Sequence, residues 1–362
     1  MNTSDIPNYT KFGFSNEKYL KTQTEKILER IDKFKQGKLY LEIGGKFLYD
    51  PHAARVLPGL DPEVKKDIFK SLRNISDLIY CVNAKDIISN RQLKNSEEKY
   101  ADVSIQMMKM FEDELSMKPI ISLNLLDHEI SDEIDEYIRK VESLGYRIYK
   151  RYKIDGYPEN VDHILSQEGY GADQYIETNR NLVLVTGAAS NSGKMSTCLG
   201  QIYQDKLSGK VSGYAKYETF PIWSLPINHP VNLAYEAATA DIGDYNVIDS
   251  YHESAYGKRS VNYNRDVDAF EIIMRMSKHL LSSQNPMTSY KSPTDMGINY
   301  AGFAITNDEI VCIASLEEIR RRASWYQEVI DRGEGDPGWV KKCMSLENQA
   351  VKYISERGYK SS

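Results

Sequence analysis

The stretch NLVLVTGAASNSGKMSTCLGQIYQD, residues 181–205, limits the possible folds more than any other part of the chain. Leu182 to Val185 is an apolar, β-branched run too short for a buried helix. It reads as a central strand covered on both faces. Gly187, a run of small residues and Gly193-Lys194 follow. Beyond them Met195, Cys198, Leu199, Ile202 and Tyr203 fall on one face of a helix. Strand, glycine-rich turn, Gly-Lys and helix make the layout of a phosphate-binding loop. In such a loop backbone N–H groups at a helix N-terminus cradle oxyanions. The spacing departs from G-x-x-x-x-G-K-[ST]. Five residues separate Gly187 from Gly193, and Met195 stands where a Mg²⁺-binding hydroxyl is expected. Ser196 and Thr197 come next, so a hydroxyl reaches a metal after a small shift. The expected cradle is Gly187, Asn191, Ser192, Gly193, Lys194, Met195, Ser196 and Thr197.

Strand and helix patterns alternate on either side of this stretch. Strands are expected at 38–43, 77–83, 119–126 and 146–154, with helices at 16–35, 62–75, 97–115 and 132–144 between them. After the loop helix come strands at 213–219, 245–248 and 301–306, and helices at 232–240, 265–282, 316–332 and 337–357. Alternation of this kind predicts an α/β fold with mainly parallel, doubly wound sheets. The expected arrangement is two adjacent sheets: a Rossmann-like unit over 1–165 and a phosphate-loop-like unit over 166–315. A C-terminal helical segment over 316–362 follows.

The formal net charge of -6 leaves no electrostatic footprint for nucleic acid. Cys81, Cys198, Cys312 and Cys343 form no C-x-x-C pair, so neither zinc nor a redox dithiol is expected, and Cys81 and Cys198 read as reduced core residues of a cytoplasmic protein. No apolar run is long enough to cross a membrane, and no signal peptide is expected. A homo-oligomer is expected.

Ligands of a doubly wound sheet gather at the carboxyl ends of its strands. Gly44, Gly45 and Lys46 follow the first strand, with Asp50, His52 and Arg55 just beyond. Two glycines there permit close backbone approach to a ligand. Asn83 and Asp86 follow the second strand, and Glu218 ends GYAKYE. Asp249 closes a short apolar run as a metal-orienting carboxylate would, with Asp241 and Asp244 as rivals. His52 and His252 lie in polar surroundings as candidate bases or phosphate ligands, and no two histidines stand at metal-ligand spacing. Lys258, Arg259 and Arg265 add positive charge suited to an anionic substrate.

The stretches EIGGKFLYDPHAARVLPGLDP (42–62), GYPENVDHILSQEGYGADQYIET (156–178), GKMSTCL (193–199), GYAKYETFPIW (213–223) and KSPTDMGINYAGF (291–303) resemble a bacterial family known as a domain of unknown function. The resemblance runs over most of residues 15–310. Members of that family have a Gly-Pro-rich loop where this chain has Ala188, Ala189 and Asn191, and they continue into a further C-terminal domain not expected in these residues. The longer loop spacing also resembles ATP-dependent amide-forming enzymes such as dethiobiotin synthetase and cobyric acid synthase. That likeness implies ATP and Mg²⁺ as cofactors.

The leading expectation is an ATP-dependent ligase or kinase that activates a small anionic substrate, a carboxylate, by phosphoryl transfer. Lys194 and the backbone of 187–195 would hold the phosphates. Ser196 or Thr197, with Asp249 or Asp241, would hold Mg²⁺. Gly44, Gly45, Lys46, His52 and Arg55 would meet the second substrate, and Lys194, His52, Arg55 and Asp249 would be the catalytic group. The first alternative is a transferase that binds a phosphorylated or sugar-nucleotide substrate without hydrolysing ATP. The other is a non-catalytic nucleotide-binding or assembly protein.

Overall fold

The computed structural model describes residues 6–89, 98–188 and 191–360. Six strands run β1 Lys38–Ile43, β2 Ser76–Asn83, β3 Ile120–Leu126, β4 Ile148–Tyr152, β5 Leu182–Gly187 and β6 Ser212–Tyr217. A two-stranded antiparallel ribbon, β7 Asn246–Ile248 and β8 Val261–Tyr263, stands apart from them. The short β9, Gly297–Ile298, closes the far edge of the main sheet. That sheet is parallel throughout, in the order β4-β3-β2-β5-β1-β6-β9.

The α/β class, the parallel sheet flanked by helices and the C-terminal helical segment are as the sequence indicates. The two expected sheets are instead one. β5, from the phosphate-loop half of the chain, lies between β1 and β2 of the first half. Leu182, Val183, Leu184 and Val185 are all buried, so this strand needs cover on both faces and a hydrogen-bonded neighbour on both edges. A central slot satisfies all four demands. The main sheet therefore takes strands from both sides of residue 165.

Two further expectations shift locally. Residues 301–306 are not a strand: Ala301–Ala304 forms a 3₁₀ turn, and pairing with β6 falls to Gly297–Ile298. Pro293–Met296, between the expected helix 265–282 and the expected strand 301–306, turns once as a helix, because Ser292 and Asp295 cap each other reciprocally there. Of the expected loop residues, Ala189 lies outside the described residues. The four cysteines are free and buried.

The C-terminal helices Asp308–Asp331 and Pro337–Glu356 pack against each other and on the helix Pro230–Ala238. The first of them also packs on the short helix Pro51–Val56, which follows β1. The C-terminal segment thus lies on the helix that follows the carboxyl end of β1.

Register across the centre is set early. Lys38 N donates to Val211 O at 2.9 Å just before β1 meets β6. Gly37 permits this approach: a Cβ there would lie 2.2 Å from Val211 O. Gly37→Ala should force the two backbones apart and destabilise the protein by about 1–3 kcal/mol. Urea unfolding checks this, and an unchanged midpoint would mean that the two strands part without loss.

Candidate functional site

The carboxyl ends of β5, β1 and β6 lie side by side, and each carries residues of the expected site. From β5 the chain passes Gly187 and enters the helix Lys194–Leu207 through Asn191 (φ +62°) and Gly193 (φ +79°), both left-handed. The turn is packed tightly enough to require its glycines. A Cβ on Gly187 would lie 1.9 Å from Ser192 Oγ, and one on Gly193 would lie 2.9 Å from Asn124 Nδ2. Two asparagines from neighbouring strand ends bracket the turn. Asn83 Nδ2 donates to Asn191 O at 3.3 Å, and Asn124 Nδ2 donates to Ser192 O at 2.6 Å. Asn124 escapes a reading of the sequence because it sits inside an apolar strand. Ser192 Oγ is buried without a partner. Lys194 is half-buried and makes no hydrogen bond or ion pair among the described residues.

The hydroxyls expected to reach a metal are occupied otherwise. Thr197 is fully buried. Its Oγ1 donates to Gly193 O at 2.9 Å and accepts from Asn124 Nδ2 at 3.0 Å. Ser196 is half-buried, and its hydroxyl faces the phenol of Tyr170. Asp249 is buried as the N-cap of the helix Ser250–Tyr256, accepting from His252 N at 3.0 Å. Its second oxygen accepts from Thr294 N at 3.1 Å and Thr294 Oγ1 at 2.7 Å. Asp241 accepts from Tyr326 OH at 2.8 Å. Asp249 therefore fastens the 291–297 loop, and Asp241 fastens a C-terminal helix. No described hydrogen bond joins either carboxylate to Ser196 or Thr197.

After β1 the turn Gly44-Gly45-Lys46 is fixed from beneath. The buried Lys65 donates to Gly44 O at 3.1 Å, Lys46 O at 3.1 Å and Asp50 Oδ2 at 3.0 Å. Gly45 is left-handed (φ +67°). Gly44 leaves the space beside Glu218 clear, since a Cβ there would lie 3.3 Å from Glu218 Cγ.

A buried ion cluster lies on the β6 side. Glu42 of β1 is in register with Lys216 of β6. Lys216 Nζ reaches Asp266 Oδ2 at 2.6 Å and Glu218 Oε1 at 2.8 Å, and it donates to Tyr263 OH. Tyr214 OH donates to Glu42 Oε2 at 2.8 Å. Burial opposes the charge on Lys216, but Asp266, Glu218 and Tyr263 outweigh it and hold the ammonium well above its ordinary range. One ammonium cannot balance Glu42, Glu218 and Asp266 together. Burial pushes Glu218 up to about 7, with Lys216 opposing and Asp266 adding to the rise. This cluster was only partly anticipated. Lys216 and Glu218, two apart in GYAKYE, share one face of a strand, and that spacing is its one visible sign.

His52 and Arg55 come from the helix Pro51–Val56, which Asp50 caps by accepting from Ala53 N at 3.2 Å. Both are buried and both turn to Glu318 of the helix Asp308–Asp331. His52 Nδ1 donates to Oε1 at 2.9 Å, and Arg55 Nε to Oε2 at 2.7 Å. Rings connect this region to the Lys216 cluster. His52 lies 5.7 Å from Phe220, Phe220 6.1 Å from Tyr235, and Tyr235 6.3 Å from Tyr263, measured between centroids. Glu218 also lines a narrow pocket that shares Trp223, Thr294, Gly297 and Asn299 with a groove of about 600 Å³.

A second polar cluster has the composition of a metal centre. His229 Nε2, an Asp308 carboxylate oxygen and Cys312 Sγ lie within 4.8 Å of one another. The hydrogen bonding opposes metal binding. His229 Nδ1 accepts from Val231 N at 3.2 Å, so the ring proton is assigned to Nε2, which faces Asp308 Oδ1 at 2.9 Å. The donor atom a metal would need already carries a proton, and the cluster caps and ties helices.

The raised pKa of Glu218 has a sign that can be measured. The folded chain holds this proton up to about pH 7, and the unfolded chain releases it near 4.5. Its contribution to stability is therefore fully present below about pH 4.5 and lost as the pH rises through 7. Glu218→Gln removes that slope. The stability of wild type relative to the variant should fall by roughly 1–3 kcal/mol between pH 5 and pH 8. Parallel stability–pH curves would refute the assignment.

Comparison with known proteins agrees with the sequence resemblance. The family described as "Domain of unknown function DUF1846, N-terminal" matches residues 12–350. A UPF0371 protein of Streptococcus thermophilus is 44% identical over 337 residues, which are 93% of this chain and 66% of that protein. A UPF0371 protein of Streptococcus pneumoniae is 44% identical over 321 residues, 89% of this chain and 63% of that protein. The chain thus spans under two thirds of the length of these relatives. Among the described residues no helix is long and apolar enough to cross a membrane. The chain belongs to the DUF1846 family of uncharacterised bacterial proteins.

Proposed function

We propose that the chain is an enzyme of transferase type that binds a phosphorylated or sugar-nucleotide substrate and does not hydrolyse ATP. The observation that carries this reading is the layout of three adjacent strand ends. Lys194 and the turn before it follow β5, the side-chain-free Gly44 follows β1, and Glu218 with Lys216 belongs to β6. Adjacent strands lie about 4.8 Å apart, so the β5 and β6 ends are roughly 10 Å apart across β1. That distance suits a substrate whose phosphate lies at the helix N-terminus while its reacting bond lies beside Glu218.

The chemistry follows from charge. Backbone N–H groups of the turn and the Lys194 ammonium, which is unpaired among the described residues, hold the phosphate oxygens. Glu218, poised near neutrality, passes a proton to the leaving group or takes one from the attacking hydroxyl. Lys216 and Asp266 hold its carboxyl in position. The ATP-dependent reading keeps the same loop but requires Mg²⁺ between phosphates. Thr197, Asp241 and Asp249 are engaged with protein partners, which favours the metal-independent reading.

Calorimetric titration of UDP-glucose in the presence of EDTA tests this. Wild type should bind, and Lys194→Ala should weaken binding about tenfold or more. Binding of ATP alone, and only with Mg²⁺, would return the ATP-dependent reading to first place. A Lys194→Ala isotherm superimposed on that of wild type would remove the loop from both readings.

A further inference from the structure

We infer that the groove joined to the Glu218 pocket is a carbohydrate-binding site that seats the second, hydroxyl-bearing substrate. Its part in the reaction rests on the transferase reading above, whereas the site itself rests on residues outside the β5 turn.

A groove of about 600 Å³ is of the size that holds small molecules. Its side-chain apolar surface is chiefly aromatic. Trp223, Tyr256, Tyr290 and Tyr300 line it, and no Leu, Ile, Val, Met or Phe does so among the described residues. An acyl chain packs best against aliphatic side chains, and none is offered here. A pyranose matches the lining better. Its C–H faces lie flat on aromatic rings, whose π faces are negative and attract the slightly positive C–H hydrogens. Its hydroxyls then turn outward to polar groups.

The rings are anchored before any ligand arrives. Trp223 Nε1 donates to Asn299 O at 2.8 Å. Phe303 packs on Trp223 at 6.2 Å and on Tyr300 at 5.6 Å between centroids. Tyr290 OH accepts from Arg30 Nη1 at 2.7 Å and donates to Tyr214 O at 2.8 Å. Tyr256 OH donates to Asp295 Oδ2 at 2.9 Å. Side chains already ordered in this way reduce the entropy that binding would lose.

Hydrogen-bonding capacity is left at Asp295, which also lines the groove. Its Oδ2 accepts from Tyr256 OH, from Lys291 N at 2.8 Å and from Ser292 N at 3.1 Å. Its Oδ1 has no hydrogen-bond partner among the described residues. An open carboxylate oxygen between aromatic rings accepts sugar hydroxyls through charge-assisted bonds. The inner end agrees with this reading. Trp223, Thr294, Gly297 and Asn299 belong both to the groove and to the narrow pocket that Glu218 lines. A sugar stacked on Trp223 therefore directs a hydroxyl toward the carboxyl that titrates at about pH 7.

Saturation-transfer NMR on the full chain tests this. The probes are the methyl pyranosides of glucose, galactose, mannose and N-acetylglucosamine, with uridine as the competing class of stacking ligand. At least one glycoside should receive transfer, strongest at the C–H protons of one ring face. Trp223→Ala should weaken its binding about tenfold, with folding checked by thermal unfolding. Asp295→Asn keeps an oxygen for capping but sets an amide donor where the open acceptor stood. It should also weaken binding, and it carries the test if Trp223→Ala folds poorly. Lys194→Ala should leave glycoside binding unchanged. No transfer to any of the glycosides, transfer to uridine alone, or wild-type affinity in the folded variants would overturn the inference. The transferase reading fails separately: wild type would then not bind UDP-glucose, while the glycoside is still held through Trp223.

Discussion

The parallel pairing of β1 with β5 on one edge and with β6 on the other is the constraint on which the candidate site depends. Leu39 is in register with Leu182 and with Gly213, and the register holds to Glu42 opposite Val185 and Lys216. Side chains alternate along each strand, so a slip of one residue would turn Glu42 away from Lys216. It would also move Gly44 away from Glu218 and fill the clear space with a side chain. The apolar character of β5 secures this pairing: four consecutive buried residues are tolerated only at the centre of a sheet covered on both faces. The same strand that fixes the register delivers the glycine-rich turn.

Two buried ionic clusters then flank the carboxyl edge. Around Lys216, acidic groups outnumber the one ammonium, and the excess is relieved by keeping a proton on Glu218. Around Glu318, the guanidiniums of Arg55, Arg321 and Arg322 share one carboxylate among the described residues. The first cluster therefore approaches neutrality by holding a proton. Phe220 and Tyr235 stand between them. Low-dielectric material there lets both fields persist instead of cancelling through water. On the proposed reading, the acidic cluster would supply the proton donor beside an anionic substrate held at the β5 turn.

The sequence made the local units legible and the assembly much less so. The β5 turn could be read because strand, glycines, lysine and amphipathic helix occupy one continuous stretch of chain. The Gly44-Gly45 turn could be read for the same reason. Strand order could not, since alternation of strands and helices is equally compatible with one sheet or two. Thr197 illustrates a second limit. Its position in the motif suggested a metal ligand, but the helix face it occupies is packed against β3, and Asn124 takes its hydroxyl. Asp249 had the expected place after a strand, yet its oxygens are used for capping. Glu318, Arg321 and Arg322 lie more than 260 residues from His52 and Arg55, and no local pattern announces contact across such a separation.

Lys65 and Lys46 play different parts within a single turn. Lys65 is buried, and its three donors are satisfied by Gly44 O, Lys46 O and Asp50 Oδ2. Its charge is spent on holding the backbone in the conformation that Gly45 permits. Lys46 belongs to the same turn but is exposed, and its ammonium makes no hydrogen bond or ion pair among the described residues. The first lysine builds the turn from beneath, and the second leaves its charge to water at the surface.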